Sequence, residues 1–221
     1  MITVHHLENS RSRRILWLLE ELGLDYDLKY YKRDPKTLLA PESLKAVHPL
    51  GKSPVITDGD ITVAESGAII EYLTETYGQG RLVPADPEPL RRYRYWLHYA
   101  EGSLMPWLVM KLVFSRIPKS PEMPFFLRSV AKKMMSKVQS QFLDPQLSNH
   151  LGFIETSLQG QDWFAGDFSA ADIQMSFPLE VASNRVDLAA YPHIHGVMQR
   201  YQERPAYQRA IAKVGALEPL G

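Results

Sequence analysis

The sequence predicts a small mixed α/β domain followed by an all-α domain. Strand and helix signals alternate over residues 1–77, a Gly- and Pro-rich stretch follows, and strand signals then nearly vanish. Residues 2–7 read as a short strand. Ile15, Leu18, Leu19 and Leu22 recur at helical spacing, and Gly23 follows as a stop. Residues 26–31 alternate again and form a second strand. Residues 35–47 are mixed helix or loop, ending before Pro49. Two β-rich runs, 55–57 and 61–63, flank Asp58-Gly59-Asp60, which predicts a hairpin. Residues 66–77 close the unit as a helix with Ile69, Ile70, Leu73 and Tyr77 on one face. The order is β-α-β-(α)-β-β-α. Its first strand, helix and second strand make a parallel pair, to which the hairpin adds antiparallel strands, with helices on both faces.

The stretch 78–89 contains Gly78, Gly80, Pro84, Pro87 and Pro89, which is linker chemistry. The expected domains are 1–79 and 89–221, with 80–88 as linker. Residues 90–104 read as a long helix that Pro106 kinks or interrupts. Three prolines make 117–124 a loop. Residues 126–142 are helical and basic, through Arg128, Lys132, Lys133 and Lys137, and read as a solvated face. Asp144-Pro145 looks like a cap followed by proline in the first turn. Leu147, Leu151, Ile154 and Leu158 then mark a core face. In Phe168-Ser169-Ala170-Ala171-Asp172-Ile173, Ser169 caps a helix, Asp172 reaches back to the Ser169 N–H, and Phe168 and Ile173 form a hydrophobic staple. Residues 192–203 and 206–214 complete the domain.

Composition narrows the function classes. The 221 residues are 45% hydrophobic, enough for a sizeable core. Twenty-five basic and 25 acidic side chains cancel, so nothing electrostatic calls for nucleic acid. The absence of cysteine excludes disulfides, thiolate metal sites and a cysteine nucleophile. There is no basic start followed by an apolar run, and no stretch of the ~18 apolar residues a membrane span needs. A cytoplasmic chain without a transmembrane segment is expected. No metal or nucleotide cofactor is expected either, since neither a ligand-spaced His pattern nor a Gly-rich phosphate loop is present. His5 and His6 are adjacent on a strand, so their rings point to opposite faces.

Specific strings identify a family. His48-Pro49-Leu50-Gly51-Lys52-Ser53-Pro54-Val55-Ile56 resembles the glutathione S-transferase segment that leads into a cis-proline. Ala64-Glu65-Ser66-Gly67-Ala68-Ile69-Ile70-Glu71-Tyr72-Leu73 resembles that family's glutathione-binding turn and following helix. The run from Phe168 to Ile173 resembles its helical-domain capping motif, and Glu203-Arg204-Pro205-Ala206 a string common near its C-terminus. The matches come in the family's order and span almost the whole chain. The run Ser10-Arg11-Ser12-Arg13-Arg14-Ile15-Leu16-Trp17 is most similar to a bacterial and fungal branch.

The resemblance implies a thioredoxin-like N-terminal domain, an all-helical second domain, a homodimer and a detoxifying transferase. The aromatic and Arg content of the helix from Leu90, with Tyr93, Tyr95, Trp96 and Tyr99, also suits an interface. Glutathione is the implied substrate, with no further cofactor. Ser53, before cis-Pro54, would pair with the cysteinyl backbone of glutathione as a strand adds to a sheet edge. Glu65 and Ser66, just ahead of a helix, would hold the γ-glutamyl ammonium and carboxylate. Lys52 would take the glycyl carboxylate, with His48 and Arg11 as further candidates. Glu101 falls on the helix that faces the dimer partner. It either touches the γ-glutamyl amine of the other subunit's ligand or is solvated or locally paired.

The thiol must ionise from a pKa near ~8.5, and the family places a Tyr, Ser or Cys between the first strand and first helix for that purpose. Ser10 stands there. Asn9 is the rival donor, because counting back from Gly23 brings it to the activating serine of some branches. Arg11 and Ser12 stand behind them, and Ser10 would serve equally as a plain N-cap. Leu7, Trp107, Met110, Lys111 and Phe114 are candidates for the wall of a second pocket that would take a small hydrophobic electrophile. The spacing of the last four also suits core. Conjugation and glutathione-dependent peroxidase activity both fit, and so does a non-catalytic glutathione-binding or stress-regulatory module on the same fold.

Overall fold

A computed structural model of the chain describes residues 1–35 and 37–218. The N-terminal unit runs β1 (Ile2–Leu7), α1 (Arg13–Leu22), β2 (Tyr26–Tyr31), α2 (Glu42–Lys45), β3 (Val55–Asp58), β4 (Ile61–Ala64) and α3 (Ser66–Tyr77). The sheet order is β2-β1-β3-β4, with β1 and β2 parallel and the remaining pairs antiparallel. Central β1 is buried along nearly all its length, as a strand covered on both faces must be. Its adjacent histidines face opposite ways. His5 bonds the Tyr31 hydroxyl at 2.9 Å, whereas the His6 ring lies 5.1 Å from that of Tyr30.

Gly23 ends α1 with φ at 65°, and the Leu24 N–H closes on the Leu19 carbonyl at 3.0 Å. The left-handed φ is why a glycine stands there, since an added Cβ would meet nothing within 4 Å. The sequence marks one apolar face on α1, but Arg13 through Leu19 are all buried. The helix is clasped between the sheet and the second domain. Trp17 packs within 6 Å of the rings of Phe168, Tyr201 and Tyr207. Arg204 forks onto Glu21 at 2.6 and 2.9 Å.

The helical domain contains α4 (Pro87–Tyr99), α5 (Met105–Arg116), α6 (Arg128–Val138), α7 (Asp144–Ser157), α8 (Ala170–Ser183), α9 (Pro192–Gln202) and α10 (Pro205–Val214). One expectation holds in a milder form and one is corrected. The α-helix is interrupted just ahead of Pro106, but only by a π turn at Ala100–Leu104 through which α4 continues into α5. Asp144 is not a cap, because α6 continues into α7 through a second π turn at Gln139–Leu143. Each π turn lies just ahead of a proline, Pro106 or Pro145. Proline has no N–H for the preceding turn, and the wider turn accommodates that loss without ending the helix. Freed from capping, the Asp144 carboxylate pairs with Lys111.

The Ser169–Asp172 capping box forms as the sequence predicts. Asp172 accepts from the Ser169 and Phe164 N–H groups at 2.8 and 2.9 Å. Burial nevertheless pushes its carboxyl up to about 6. The expected aromatic interface on α4 is only partly available, since Tyr93, Trp96 and Tyr99 turn into the core and Tyr95 remains exposed. Among the described residues no helix is long and apolar enough to cross a membrane.

Candidate functional site

The site begins where β1 ends. The chain turns at Asn9, in the left-handed region with φ of 49°, and α1 starts at Arg13. Ser12, rather than Ser10, therefore precedes the helix. Ser10 is 5% exposed. Its Oγ lies 2.7 Å from the Ser12 Oγ and donates to the Ser53 Oγ at 3.3 Å. Ser53 in turn donates to the His5 carbonyl at 3.0 Å and accepts from the Leu7 N–H at 3.2 Å. The Ser53–Pro54 peptide is cis. These bonds tie the loop after β1 to the segment before β3.

The second part lies where β4 meets α3. Glu65 holds φ at 71°, a region that a residue with a Cβ adopts only when its surroundings enforce it. Its side chain is exposed, while the next residue, Ser66, is buried. The Ser66 hydroxyl accepts from Arg14 Nη1 at 3.1 Å, and the same nitrogen donates to Glu101 at 2.5 Å. Arg11 Nε donates to both Glu101 oxygens, at 3.0 and 2.9 Å. Phe177 lies under both guanidiniums, 5.5 and 5.3 Å from its ring centre. Burial alone would raise the Glu101 carboxyl, but the charges and hydrogen bonds of Arg14 and Arg11 outweigh it and hold Glu101 below the ordinary glutamate range. Glu101 is thus paired within its own chain.

Two adjoining cavities open over these groups. One, of about 250 Å³, is walled by Ser53, Pro54, Glu65, Ser66, Glu101 and His48. The other, of about 390 Å³, is walled by Leu7, Asn9, Ser10, Arg33 and Lys45. Arg11, Leu50, Lys52 and Ser53 line both. The second cavity has four cationic side chains in its wall, Arg11, Arg33, Lys45 and Lys52, and no carboxylate among its described lining. Arg11 is already paired with Glu101 and Lys45 with Glu42, so the pull on an anion comes chiefly from Arg33 and Lys52.

Not every candidate joins this constellation. Asn9 lines the second cavity, but its amide is taken up by Glu218, whose N–H donates to Asn9 Oδ1 at 3.0 Å. Trp107 packs 5.7 Å from Phe142 and 6.0 Å from His150, and Lys111 is held by Asp144. Phe114 lines a separate cavity of about 600 Å³ with Lys119, Arg128 and Lys132. None of these three, nor Met110, lines either cavity at Ser10. Sequence reasoning missed Arg14, Arg33, Lys45 and His6. Arg14 gave no signal, because it stands beside Arg13 at the start of α1, ahead of the apolar run, where an arginine is ordinarily solvated.

Family models for the glutathione S-transferase N-terminal domain and C-terminal domain match residues 10–76 and 118–205. Glutathione S-transferase 3 of Schizosaccharomyces pombe is 37% identical, over 97% of this chain and 88% of its own. Glutathione S-transferase 1 of Saccharomyces cerevisiae is 34% identical, over 98% and 97%. A crystal structure of a glutathione S-transferase from Actinobacillus pleuropneumoniae superposes with a TM-score of 0.82 at 37% identity, covering 99% of this chain and 95% of that one. The chain belongs to the glutathione S-transferase family, and its fold is that family's thioredoxin-like domain joined to a helical domain.

Proposed function

We propose that this chain is a glutathione transferase in which Ser10 stabilises the glutathione thiolate for attack on a small hydrophobic electrophile. The observation that carries the reading is the buried Ser10 hydroxyl, held 3.3 Å from Ser53 where the two cavities adjoin. In this arrangement the γ-glutamyl end lies at Glu65 and Ser66, and the cysteinyl backbone pairs with Ser53. The glycyl carboxylate lies toward Lys52 and Lys45. The thiol then reaches the cationic cavity at Ser10, where a donated hydrogen bond and nearby positive charge both favour the thiolate. Residues 1–79 form the glutathione-binding domain and 89–221 the helical one. A cytoplasmic, detoxifying role goes with the family. The direct test is retention of the purified protein on immobilised glutathione, followed by mass-spectrometric detection of conjugates from a panel of electrophiles and hydroperoxides. Retention without turnover on any of them would favour a non-catalytic module.

Ser66→Ala is expected to raise the glutathione Michaelis constant about tenfold, from loss of a buried hydrogen bond to a charged group. Glu65→Ala should act in the same direction but less, because the Glu65 side chain is solvent-exposed. Steady-state kinetics at varied glutathione check both, and unchanged constants would remove the γ-glutamyl assignment.

A symmetric homodimer is part of the same reading. It is supported by an exposed apolar stripe on and around α6, Phe126, Val130, Met134, Val138 and Phe142, at four-residue spacing. Light scattering at micromolar concentration should give twice the 25.2 kDa chain mass. A monomer mass counts against it.

A further inference from the structure

The hydroxyl of Ser10 is the end of a chain that starts on a buried histidine, and the direction of that chain decides where the Ser10 proton points. His6 is 1% exposed. Its Nδ1 lies 2.7 Å from the Ser12 Oγ, which lies 2.7 Å from the Ser10 Oγ. The Ser12 N–H also reaches the Ser10 Oγ, at 3.4 Å. Each hydroxyl has one proton to donate, so the chain runs in one of two senses. With the imidazole proton on Nε2, Ser12 donates to His6 and Ser10 donates to Ser12. The Ser10 proton then faces the interior, and lone pairs face the cavity. With the proton on Nδ1, His6 donates to Ser12 and Ser12 to Ser10, which leaves the Ser10 proton for the cavity side.

Two observations select the second sense. The Ser53 proton is committed to the His5 carbonyl, so the 3.3 Å contact between Ser10 and Ser53 is made by a Ser10 proton already turned away from Ser12. The His6 Nε2 is buried and has no hydrogen-bond partner among the described residues. An unmatched lone pair is tolerated there more readily than an orphaned N–H. The imidazole is neutral at working pH, since burial and the nearby charge of Arg13 hold it down at about 4.

We propose that His6, as its Nδ1–H tautomer, is a positioning residue that orders the Ser12 and Ser10 hydroxyls so that the Ser10 proton is presented to the glutathione thiolate. The proposal rests on the reading that Ser10 faces that sulfur. Each donated bond polarises the next, so the Ser10 proton is also a stronger donor than that of an isolated serine.

The test uses the full-length protein saturated with glutathione. Nitrogen-resolved NMR of the His6 ring reports the tautomer, and thiolate absorbance against pH is followed in wild type, Ser10→Ala, Ser12→Ala, His6→Leu and His6→Asn. The expected tautomer is Nδ1–H. Ser12→Ala and His6→Leu should each raise the apparent thiol pKa by about 0.5–1 unit, a roughly three- to tenfold loss of thiolate below it, with glutathione affinity little changed. His6→Asn, which keeps an N–H donor near the Nδ1 position, should return most of the shift. An Nε2–H tautomer overturns the proposal, as does an unmoved titration in Ser12→Ala while Ser10→Ala moves it. An unmoved titration in Ser10→Ala overturns the underlying reading as well. If His6→Leu does not fold, the tautomer and Ser12→Ala decide.

Discussion

Ser10→Ala should lower turnover at neutral pH by roughly ten- to a hundredfold, the worth of one charge-assisted hydrogen bond of about 1.5–3 kcal/mol. Glutathione binding should change less, because the proposed γ-glutamyl and backbone contacts, at Glu65, Ser66 and Ser53, do not use the Ser10 hydroxyl. The lost stabilisation belongs to the thiolate, so the apparent pKa of bound glutathione should rise and part of the rate should return at high pH. The loss has a ceiling, since Arg33 and Lys52 line the same cavity and favour the anion without the hydroxyl. Asn9→Ala is the control. The Asn9 amide already accepts from the Glu218 N–H, so its removal should leave the thiolate titration where it was. A titration shifted by Asn9→Ala and untouched by Ser10→Ala would hand the role to Asn9. If neither shifts it, Ser10 serves only to tie the loop to Ser53.

Glu101→Gln should cost about 3 kcal/mol of stability, far more than a surface ion pair at roughly 0–1 kcal/mol. The reason is what it leaves behind. The Arg14 side chain has no exposed surface, and its Nε and Nη2 already lack partners among the described residues. Glu101 is the carboxylate that hydrogen-bonds its guanidinium, and neutralising it strands a buried charge. The expected loss sits at the low end of the range for breaking a buried pair, because the Glu101 side chain itself keeps 30% exposure. Arg14 lies on α1 and Glu101 in the π turn after α4, so the variant also loosens the contact between domains and the seat of Ser66. Chemical denaturation measures the loss, and a change no larger than that of a surface pair would sink the assignment. The pH dependence has a definite sign. The folded carboxyl is held below its unfolded value of about 4.3. The pair's contribution is therefore complete above that pH and is lost as pH falls through the folded value. Stability should fall more steeply on acidification below pH ~4 in wild type than in Glu101→Gln.

Much of the candidate site was legible because its parts are short strings. Ser53-Pro54 and Glu65-Ser66 each lie within one turn of chain, and each has a special backbone geometry, a cis peptide at Pro54 and a positive φ at Glu65. Ser10 and Asn9 were both legible as members of the loop after β1, but the difference in their surroundings was not. Asn9 meets Glu218, 209 residues further along. The candidate wall of Trp107, Met110, Lys111 and Phe114 was legible as one helical face, and periodicity carries no information about what a face meets. The partners of Trp107 and Lys111 lie on the α6–α7 rod, at Phe142, His150 and Asp144.

The sequence alone determined what is settled within a few residues. The β-α-β order, the stop at Gly23, the hairpin about Gly59 and the Ser169–Asp172 cap all follow from local sterics and hydrogen bonding, which no distant contact overrides. Only the tertiary structure decided which faces close on one another. It turned Tyr93, Trp96 and Tyr99 inward, carried two helices past their prolines on π turns, and buried Arg14 between Ser66 and Glu101. It also set His6 behind Ser12 and Ser10, across the turn from β1 to α1. A buried polar group takes whatever partner packing brings within about 3 Å. That partner is chosen by long-range closure of the core, whose cooperativity is not written in any one window of sequence.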